Sequence, residues 1–481
     1  MKTYIGIDFG TTNLKAALFR QDGTQLAIKR LPTPLGSDGY NPVVIEGYLR
    51  QLLEAVSQPG QRPEGIVVTG MAEAGLLLHR ETKQRLSPII PWFDERTVPY
   101  AKDLTPEQVY DRFLKTGLRN SFKYGIYKYL WCLDHCGVPA EETVWLSAVD
   151  YLVFLLTGEF VTDPTFAART YAYDLAAGDF DAAFLKELGL SRGNFPRLVA
   201  SGGFAGTCIL PGWETVPVHI GGHDHVCAAF GMHLLDEDAV CDSCGTAETY
   251  IGTMDARPLT ETDYESGCIF GPYPGSSRLF WMANISSSGL AVEWFREKQQ
   301  LSALSHEQVE EILSQSQAPT GIFFLPALTG MGTPCFRQNL SAAFLGLRRE
   351  HTGGDMLRAV VEGIGYQSRM ILEPMCKNPH LLSVGGPTRS SGWMQLKSDV
   401  LGCRIDAMEQ SEATITGAIA LMLSAQCSRE RAKEFCSQLG KSKLYTPDSL
   451  RHAGYDRLYP RYRRWYTLSV AELDESIGEE L

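Results

Sequence analysis

Short apolar runs that end in glycine-bearing turns recur along the chain and predict β-strands. Tyr4–Phe9 is the first such run, and a tight turn at 10–12 separates it from a second run at Leu14–Phe19. Asp22 and Gly23 then form a hairpin signal before a third run at Gln25–Arg30. Because no helix follows the first turn, the pattern predicts an antiparallel meander and excludes a Rossmann or P-loop unit here.

Helical and strand-like segments alternate after the meander, which predicts an α/β protein. Val43–Ser57 has the pattern of a helix, and Gly65–Thr69 that of a buried strand. Thr105 to about Thr157 is mostly helical in pattern. Val216–Gly222 predicts another strand, and a helix through Gly231 is expected to follow it.

The opening plan of strand, Gly-Thr turn and strand returns near the middle of the chain. Ala239–Ser243 and Glu248–Gly252 flank a turn that contains Gly245, nearly half the chain length after Gly10. We interpret this recurrence as two structural halves, with domains at residues 1–232 and 233–481. The alternative is coincidence, since Gly-Thr pairs are common.

Length and composition indicate a soluble globular enzyme with more than one core. The chain has 481 residues, of which 44% are hydrophobic and 21% charged. These values exclude a disordered chain, a collagen-like chain and a coiled coil. A single core rarely exceeds about 250–300 residues, so at least two cores are expected. Apolar stretches such as 321–328 are too short to cross a membrane.

Charge and cysteine content limit the partners and the compartment. The net charge is −12 and the pI is near 5.4, so a nucleic-acid partner is not expected. Twelve cysteines are too few for a disulfide scaffold, and Met1 leads directly into a strand pattern without a signal peptide. We therefore expect a cytoplasmic protein. The Cys-x-x-Cys pair, Cys241 and Cys244, has no second pair of Cys or His ligands at the spacing of a zinc site. It is therefore weak evidence for zinc binding.

Three glycine-bearing turns at strand ends suggest one polyphosphate held between the two halves. Glycine lets a phosphate approach the backbone, and successive N–H groups in such turns form an anion cavity. The threonines add hydroxyl donors. The candidate residues are Gly10, Thr11 and Thr12 in the first turn, Gly245 and Thr246 in the second, and Gly385 and Gly386 in the third.

Two aspartates at strand ends are the candidates for catalysis. Asp8 ends the first strand, and a buried carboxylate there needs a cation such as the Mg²⁺ that accompanies a phosphate. Its alternative role is to cap the N–H groups of the turn. Asp224 follows Gly221 and Gly222 and could take the proton of a substrate hydroxyl, with His225 hydrogen-bonding the same substrate. The alternative for Asp224 is an N-cap on the next helix.

Several short motifs occur in one order over nearly the whole chain, and together they are specific. They make the sequence resemble the FGGY carbohydrate kinases, the family of glycerol kinase, xylulokinase and gluconokinase. The stretches that carry the resemblance are Ile7–Lys15, Trp92–Arg96, Tyr151–Gly158, Thr162 and Asp163 with Ala167, Gly221–Asp224, Gly245 and Thr246, Gly330–Pro334, and Gly385 and Gly386.

The resemblance implies an actin/Hsp70-like ATPase fold with two ribonuclease H-like domains around a central cleft. It implies an ATP- and Mg²⁺-dependent kinase acting on a small-molecule carbohydrate. Asp8 would lie on the magnesium side of the first phosphate loop, and the third turn would border the adenosine. Asp224 would be the general base, and substrate would lie near Glu73, Asp224 and His225. A homodimer is the assembly that we consider.

Departures from the family pattern bear on the substrate. Ala72 and Glu73 match neither the Arg-Glu of glycerol kinases nor the Met-His of xylulokinases. By spacing, Lys123 and Thr249 occupy the positions of the Tyr and Phe with which glycerol kinases contact their substrate. Glycerol and a plain xylulokinase activity are therefore disfavoured. Lys123 could bind a substrate carboxylate, pair with Glu73, or lie on the solvent face of a helix.

Two rival functions belong to other classes. A non-catalytic sugar- or nucleotide-binding regulator on the same fold would usually carry an added DNA-binding segment, and no basic helix precedes the first strand. A chaperone-type ATPase would need a peptide-binding domain, for which no residues are left over.

Overall fold

The protein is described by a computed structural model with two central β-sheets. It describes residues 2–58, 60, 62–102, 104–299, 301, 304–314, 318–337, 340–409 and 412–476. The strands of the first half are β1 (Thr3–Phe9), β2 (Asn13–Arg20), β3 (Gln25–Pro32), β4 (Leu35–Gly36), β5 (Gly39–Tyr40), β6 (Gly65–Gly70), β7 (Gly75–His79), β8 (Thr143–Ser147), β9 (Val161–Thr162), β10 (Tyr173–Asp174), β11 (Asp179–Phe180), β12 (Arg197–Leu198), β13 (Phe204–Thr207) and β14 (Pro217–His223). Those of the second half are β15 (Val240–Cys244), β16 (Glu248–Asp255), β17 (Ile269–Pro272), β18 (Arg278–Ile285), β19 (Phe323–Leu325), β20 (Ala343–Leu345), β21 (Leu381–Gly385), β22 (Ile405–Met408) and β23 (Ser442–Tyr445).

Helices surround both sheets. In the first half they are α1 (Pro42–Val56), α2 (Val98–Ala101), α3 (Pro106–Thr116), α4 (Gly125–Cys136), α5 (Ala148–Thr157), α6 (Pro164–Ala168), α7 (Ala182–Glu187) and α8 (Asp224–His233). In the second half they are α9 (Glu261–Glu265), α10 (Gly289–Lys298), α11 (His306–Ser314), α12 (Gly353–Met375), α13 (Ser391–Leu401), α14 (Ala413–Gln426), α15 (Arg429–Cys436) and α16 (Ser449–Ser476). Among the residues described, no helix has the length and apolar composition that crossing a membrane requires.

The two sheets share one strand plan. The first has the order β13-β14-β6-β1-β2-β3, in which β1, β2 and β3 are antiparallel neighbours while β6 and β14 run parallel to β1. The second has the order β17-β18-β16-β15-β21-β22-β23, with β15, β16 and β18 antiparallel and β21 and β22 parallel to β15. The meander and the recurring hairpin are thus found where the sequence predicts them.

A buried strand lies inside a stretch that is otherwise mostly helical, as the sequence predicts. The segment from Thr105 to Thr157 contains helices α3, α4 and α5, but β8 interrupts it as a fully buried strand paired with β7. A short, continuous apolar run has no periodicity that distinguishes a buried strand from a buried helix. The residues between α3 and α4, including Lys123, are also non-helical.

Helices α8 and α14 pack against each other and join the two halves. Helix α14 contacts β1, β6 and β14 of the first sheet, although it belongs to the second half. The crossing depends on glycine: a Cβ atom on Gly417 would lie 1.8 Å from the carbonyl oxygen of Cys227 in α8. The position of α8, which begins at Asp224, is therefore fixed by a close contact with the other half.

Candidate active site

Three parallel strands bring the candidate residues of the first half to one edge of the sheet. Phe9 at the end of β1 pairs with Gly70 of β6, and Gly70 pairs with His223 of β14. The first glycine turn, the bend that carries Glu73 and the start of α8 at Asp224 follow these three positions directly. Because parallel strands end at the same edge, the register places three candidate segments side by side.

Asp8 has the environment expected of a carboxylate that faces a cation. It is buried, and its Oδ2 lies 3.3 Å from the Lys15 ammonium. Its Oδ1 is buried without a hydrogen-bond partner among the described residues. Burial raises the pKa of Asp8 to about 7; Lys15 opposes this shift, and the charge of Asp224 adds to it. The unpartnered oxygen fits Mg²⁺, which prefers carboxylate and water oxygens.

Asp224 is held ionised by two histidines. It is the first residue of α8, and its side chain is 23% exposed. His223 Nε2 lies 3.1 Å from Asp224 Oδ1, which also accepts a hydrogen bond from the backbone N–H of His225 at 2.6 Å. Burial opposes ionisation, but His225 and then His223 hold the pKa of Asp224 well below its usual range. The carboxylate can therefore accept a proton across the neutral range, and its contacts with His223 and with the N–H of His225 both use Oδ1.

Glu73 is paired with an arginine that the sequence did not single out. Arg169 donates from Nε to Glu73 Oε1 at 2.6 Å and makes a second, very close contact from Nη2. Burial would raise the pKa of Glu73, but Arg169 and then His223 hold it below its usual value. Glu73 also has a left-handed backbone, with φ of 62°, which is rare outside glycine and is concentrated at functional sites. No motif pointed to Arg169, because only the fold brings it to this bend.

Lys123 lies beside the same cluster, in the turn before α4. Its ammonium is 5.0 Å from the centre of the Trp92 ring, and the Trp92 indole N–H donates to Thr11 Oγ1 at 2.9 Å. Burial lowers the pKa of Lys123; Glu73 opposes this shift and Arg169 adds to it. Of the three alternatives for Lys123, the solvent face of a helix does not fit, because the residue lies in a turn and its side chain is half-buried. Among the described residues, Glu73 is paired with Arg169 and forms no ion pair with Lys123.

The second and third glycine turns border one cavity. Cys244 of β15 pairs with Gly385 of β21, so the turns that follow these strands are neighbours. A cavity of about 410 Å³ lies beside them. Its lining includes Gly245, Thr246, Gly386, Pro387 and Trp393, together with residues of α10, α11 and α12. The volume and the mixture of apolar and polar walls suit a nucleoside. Gly10, Thr11 and Thr12 belong to the opposite half and are not part of this lining.

Ion pairs connect the two halves next to Asp8. Glu412, the residue before α14, lies 3.5 Å from the Lys15 ammonium and 2.5 Å from Arg30 Nη2. Lys15 thus lies between Asp8 of the first half and Glu412 of the second. These ion pairs hold the first sheet and the start of α14 together beside Asp8.

The Cys-x-x-Cys pair does not form a zinc site. Its members point to opposite faces of β15, because residues three apart in a strand alternate sides. The Cys241 thiol contacts the carbonyl of Ala229, while Cys244 faces Asp242 and Glu248 on the other side. The Lys397 ammonium lies 2.5 Å from Asp242 Oδ2 and 2.7 Å from Glu248 Oε1. A built-in cation therefore occupies the place that a metal ion would take.

Comparison with known proteins decides the family. The N-terminal domain model of the FGGY family of carbohydrate kinases matches residues 3–231, and the C-terminal domain model of the same family matches residues 241–425. The chain belongs to the FGGY family of carbohydrate kinases. It is accordingly a phosphotransferase with an alcohol group as acceptor, and the family phosphorylates sugars and polyols with ATP.

Relatives and solved structures agree with this assignment over nearly the whole chain. The chain is 26% identical to the xylulose kinase of Bacillus subtilis over 494 aligned positions, covering 97% of both proteins. It is 29% identical to the glycerol kinase of Thermus brockianus, covering 87% of this chain and 89% of the relative. The structures of a xylulose kinase and a gluconate kinase from Lactobacillus acidophilus both superpose with a TM-score of 0.88, at 22% and 21% identity, and cover 99% or more of each chain.

The superpositions confirm the fold of this FGGY kinase. It is the actin/Hsp70-like ATPase fold with two domains, as the resemblance implied. The shared strand plan of the two sheets is the structural counterpart of the two family domains.

Proposed function

We propose that this kinase transfers the γ-phosphoryl group of ATP to a hydroxyl of a small ketose, polyol or sugar acid, with Asp224 as general base. The observation that carries the proposal is the position of Asp224. It is ionised and partly exposed, at the same sheet edge as the first Gly-Thr turn and Asp8. The domain boundary is proposed between residues 232 and 233, in the last turn of α8, and a homodimer is the proposed assembly.

The proposed reaction is an in-line displacement. Asp224 accepts the proton of the substrate hydroxyl as its oxygen bonds to the γ-phosphorus, and the bond to the bridging oxygen breaks to release ADP. Gly10, Thr11 and Thr12 would donate to the phosphates from one side of the cleft, and Gly245 and Thr246 from the other. Gly385 and Gly386 would border the adenosine.

Asp8 is the residue proposed to hold Mg²⁺ at the site, directly or through water. The ion, when bound, would neutralise negative charge on the phosphates. Its positive charge would also favour the ionised form of the Asp8 carboxyl, whose pKa is raised mainly by burial to about 7. Lys15 bridges Asp8 and Glu412 and would hold the carboxylate in place.

The substrate is proposed to bind against the Glu73 and Arg169 pair, with His225 at the reacting end. Lys123 is an ammonium without a carboxylate partner among the described residues, next to that pair and over the ring of Trp92. A carboxylate on the substrate would give it a charge-assisted hydrogen bond. We therefore place sugar acids first among the three substrate classes.

The experiment that tests the proposal is a coupled ADP-release screen with short-chain polyols, ketoses, aldoses and sugar acids. Carbohydrate-dependent ADP release that requires Mg²⁺ is the expected result. The non-catalytic regulator predicts a different result, in which a carbohydrate raises the thermal unfolding temperature without releasing ADP.

A further inference from the structure

A buried charge cluster lies directly beneath the second Gly-Thr turn. Asp242 of β15, Glu248 of β16 and Lys397 of α13 are fully buried, and the Lys397 ammonium contacts both carboxylates. Ser383 donates to Asp242 Oδ2 at 2.5 Å. Removing a charged group from water costs several kcal/mol, as an order of magnitude, unless it is paired and hydrogen-bonded. The Lys397 ammonium is the cationic partner that both buried carboxylates share.

Ser288 connects this cluster to the turn. Its hydroxyl donates to Glu248 Oε2 at 2.6 Å, which is the oxygen that Lys397 does not contact. Its backbone N–H donates to the carbonyl of Thr246 at 3.2 Å. The next two N–H groups, of Gly289 and Leu290, donate to the carbonyls of Gly245 and Thr246, each at 3.0 Å. The turn is thus attached by its carbonyls to the start of α10, and Ser288 orients that start.

The attachment leaves the opposite side of the turn exposed to the cavity. Thr246 is exposed and lines the cavity, whereas Ser288 beneath it is fully buried. Gly289 permits the close approach, since a Cβ atom there would lie 2.4 Å from the Gly245 carbonyl oxygen. With its carbonyls directed inward, the turn has its hydroxyl and remaining backbone donors available for a phosphate.

We propose that Glu248 and Ser288 are positioning residues that hold the second phosphate turn in its ATP-binding conformation. This role rests on the proposed function of Gly245 and Thr246. Burial raises the pKa of Glu248, but the Lys397 ammonium holds that pKa below its usual value and so favours the charged carboxylate. The charged carboxylate then makes a strong hydrogen bond to Ser288, and loss of that bond frees the start of α10 to shift.

A matched pair of substitutions separates positioning from packing. Ser288→Ala removes the hydroxyl that connects the cluster to the turn. Ser368→Ala removes an equally buried hydroxyl at the far end of the same cluster, where Ser368 Oγ lies 2.7 Å from the Tyr250 hydroxyl. Both changes delete one oxygen atom without adding volume. Only Ser288 lies between Glu248 and the second phosphate turn.

The experiment measures KM for ATP, KM for the carbohydrate, kcat and ADP affinity by calorimetry for both variants of the full chain. Ser288→Ala is expected to raise KM for ATP and Kd for ADP about tenfold, with KM for the carbohydrate within about twofold of wild type. Ser368→Ala is expected to leave all binding constants within about twofold. Glu248→Gln keeps the shape of the side chain and removes its charge. Like Ser288→Ala, it is expected to weaken ADP binding.

Two results would overturn the inference while the kinase assignment stands: unchanged ADP affinity in Ser288→Ala, or equal losses in Ser288→Ala and Ser368→Ala. A wild-type chain that releases no ADP with any carbohydrate would count against the proposed function instead. In that case, ADP calorimetry still tests whether Glu248 and Ser288 position the second phosphate turn. A wild-type chain that does not bind ADP at all would overturn both.

Discussion

Arg169 and Glu73 form an ion pair at the edge of the cleft, with 2.6 Å between Arg169 Nε and Glu73 Oε1, although 96 residues separate them. Glu73 lies in the bend after β6, and Arg169 follows α6. Other charged groups lie near the pair: His223 helps to lower the pKa of Glu73, Asp224 helps to raise the pKa of Arg169, and Glu73 and Arg169 both act on the pKa of Lys123. We therefore propose that the pair forms a wall of the carbohydrate site.

Arg169→Met is expected to raise KM for the carbohydrate at least about tenfold and to leave ADP affinity within about twofold. The substitution leaves the Glu73 carboxylate buried without its partner, which typically costs about 3–5 kcal/mol and displaces the bend. Steady-state kinetics and ADP calorimetry measure the two effects. The control is Arg112→Met, since Arg112 forms a buried pair with Asp181 at 2.7 Å in the same half. A similar rise in KM for both variants would show that lost stability, and not the site, is responsible.

Lys123→Met tests the charge of the substrate. If Lys123 binds a substrate carboxylate, KM for sugar acids rises about tenfold or more, while KM for neutral polyols and ketoses stays within about twofold. The matched control is Lys83→Met, because Lys83 also lies over an aromatic ring, 5.8 Å from the centre of Phe154. An unchanged preference among acids and neutral sugars would mean that Lys123 does not recognise the substrate.

Much of the first half could be predicted from the sequence because its signals are local. The hairpin of β1 and β2, its turn at Gly10 and the strand before Asp224 each have a short pattern of their own. The recurrence of the hairpin predicted the second sheet for the same reason. Strand β8 was missed, since its five buried residues are equally compatible with a helix.

The rest of the site depends on contacts that no single segment encodes. Arg169 meets Glu73 only after α6 packs beside β14, and Ser288 meets Glu248 only after β18 pairs with β16. The Cys-x-x-Cys spacing suggested a metal, but the alternation of a strand separates the two thiols. Lys397, more than a hundred residues away, supplies the cation instead.

Gly417→Ala is expected to separate α8 from α14 and to reduce both stability and kcat. The new Cβ atom would lie 1.8 Å from the Cys227 carbonyl, so the helices must move apart, at a typical cost of about 1–3 kcal/mol for overpacking. Because α8 begins at Asp224, the movement also displaces the proposed base. Thermal unfolding and kcat measure the two effects. Gly47→Ala is the control, since a Cβ atom on this exposed residue of α1 meets nothing within 4 Å; a loss of kcat there too would refute the explanation.

His233 is expected to make the fold sensitive to acid. It is fully enclosed between the Tyr273 hydroxyl, at 2.8 Å, and the Ala239 carbonyl, at 3.0 Å, and burial lowers its pKa to about 4. The unfolded chain therefore binds the proton more tightly, so stability is lost as the pH falls from about 6.5 towards 4. The loss approaches about 3 kcal/mol at the lower end.

His233→Gln removes the titrating group while an amide can still accept from Tyr273 and donate to Ala239. The thermal unfolding temperature of the wild type is expected to fall more steeply between pH 6.5 and pH 4 than that of the variant. Parallel curves for the two proteins would show that other groups dominate the acid response.

The kinase mechanism is tested most directly by Asp224→Asn, assayed with the best carbohydrate from the screen. The amide keeps the size of the side chain but cannot accept the hydroxyl proton. Loss of a general base typically lowers the rate about 10²–10⁴-fold. Asp355→Asn, in the first turn of α12, controls for removing a carboxylate from a helix terminus. A fall in kcat of this size with ADP affinity retained is the predicted result, and kcat within a few-fold of wild type would contradict the assignment of Asp224 as the base.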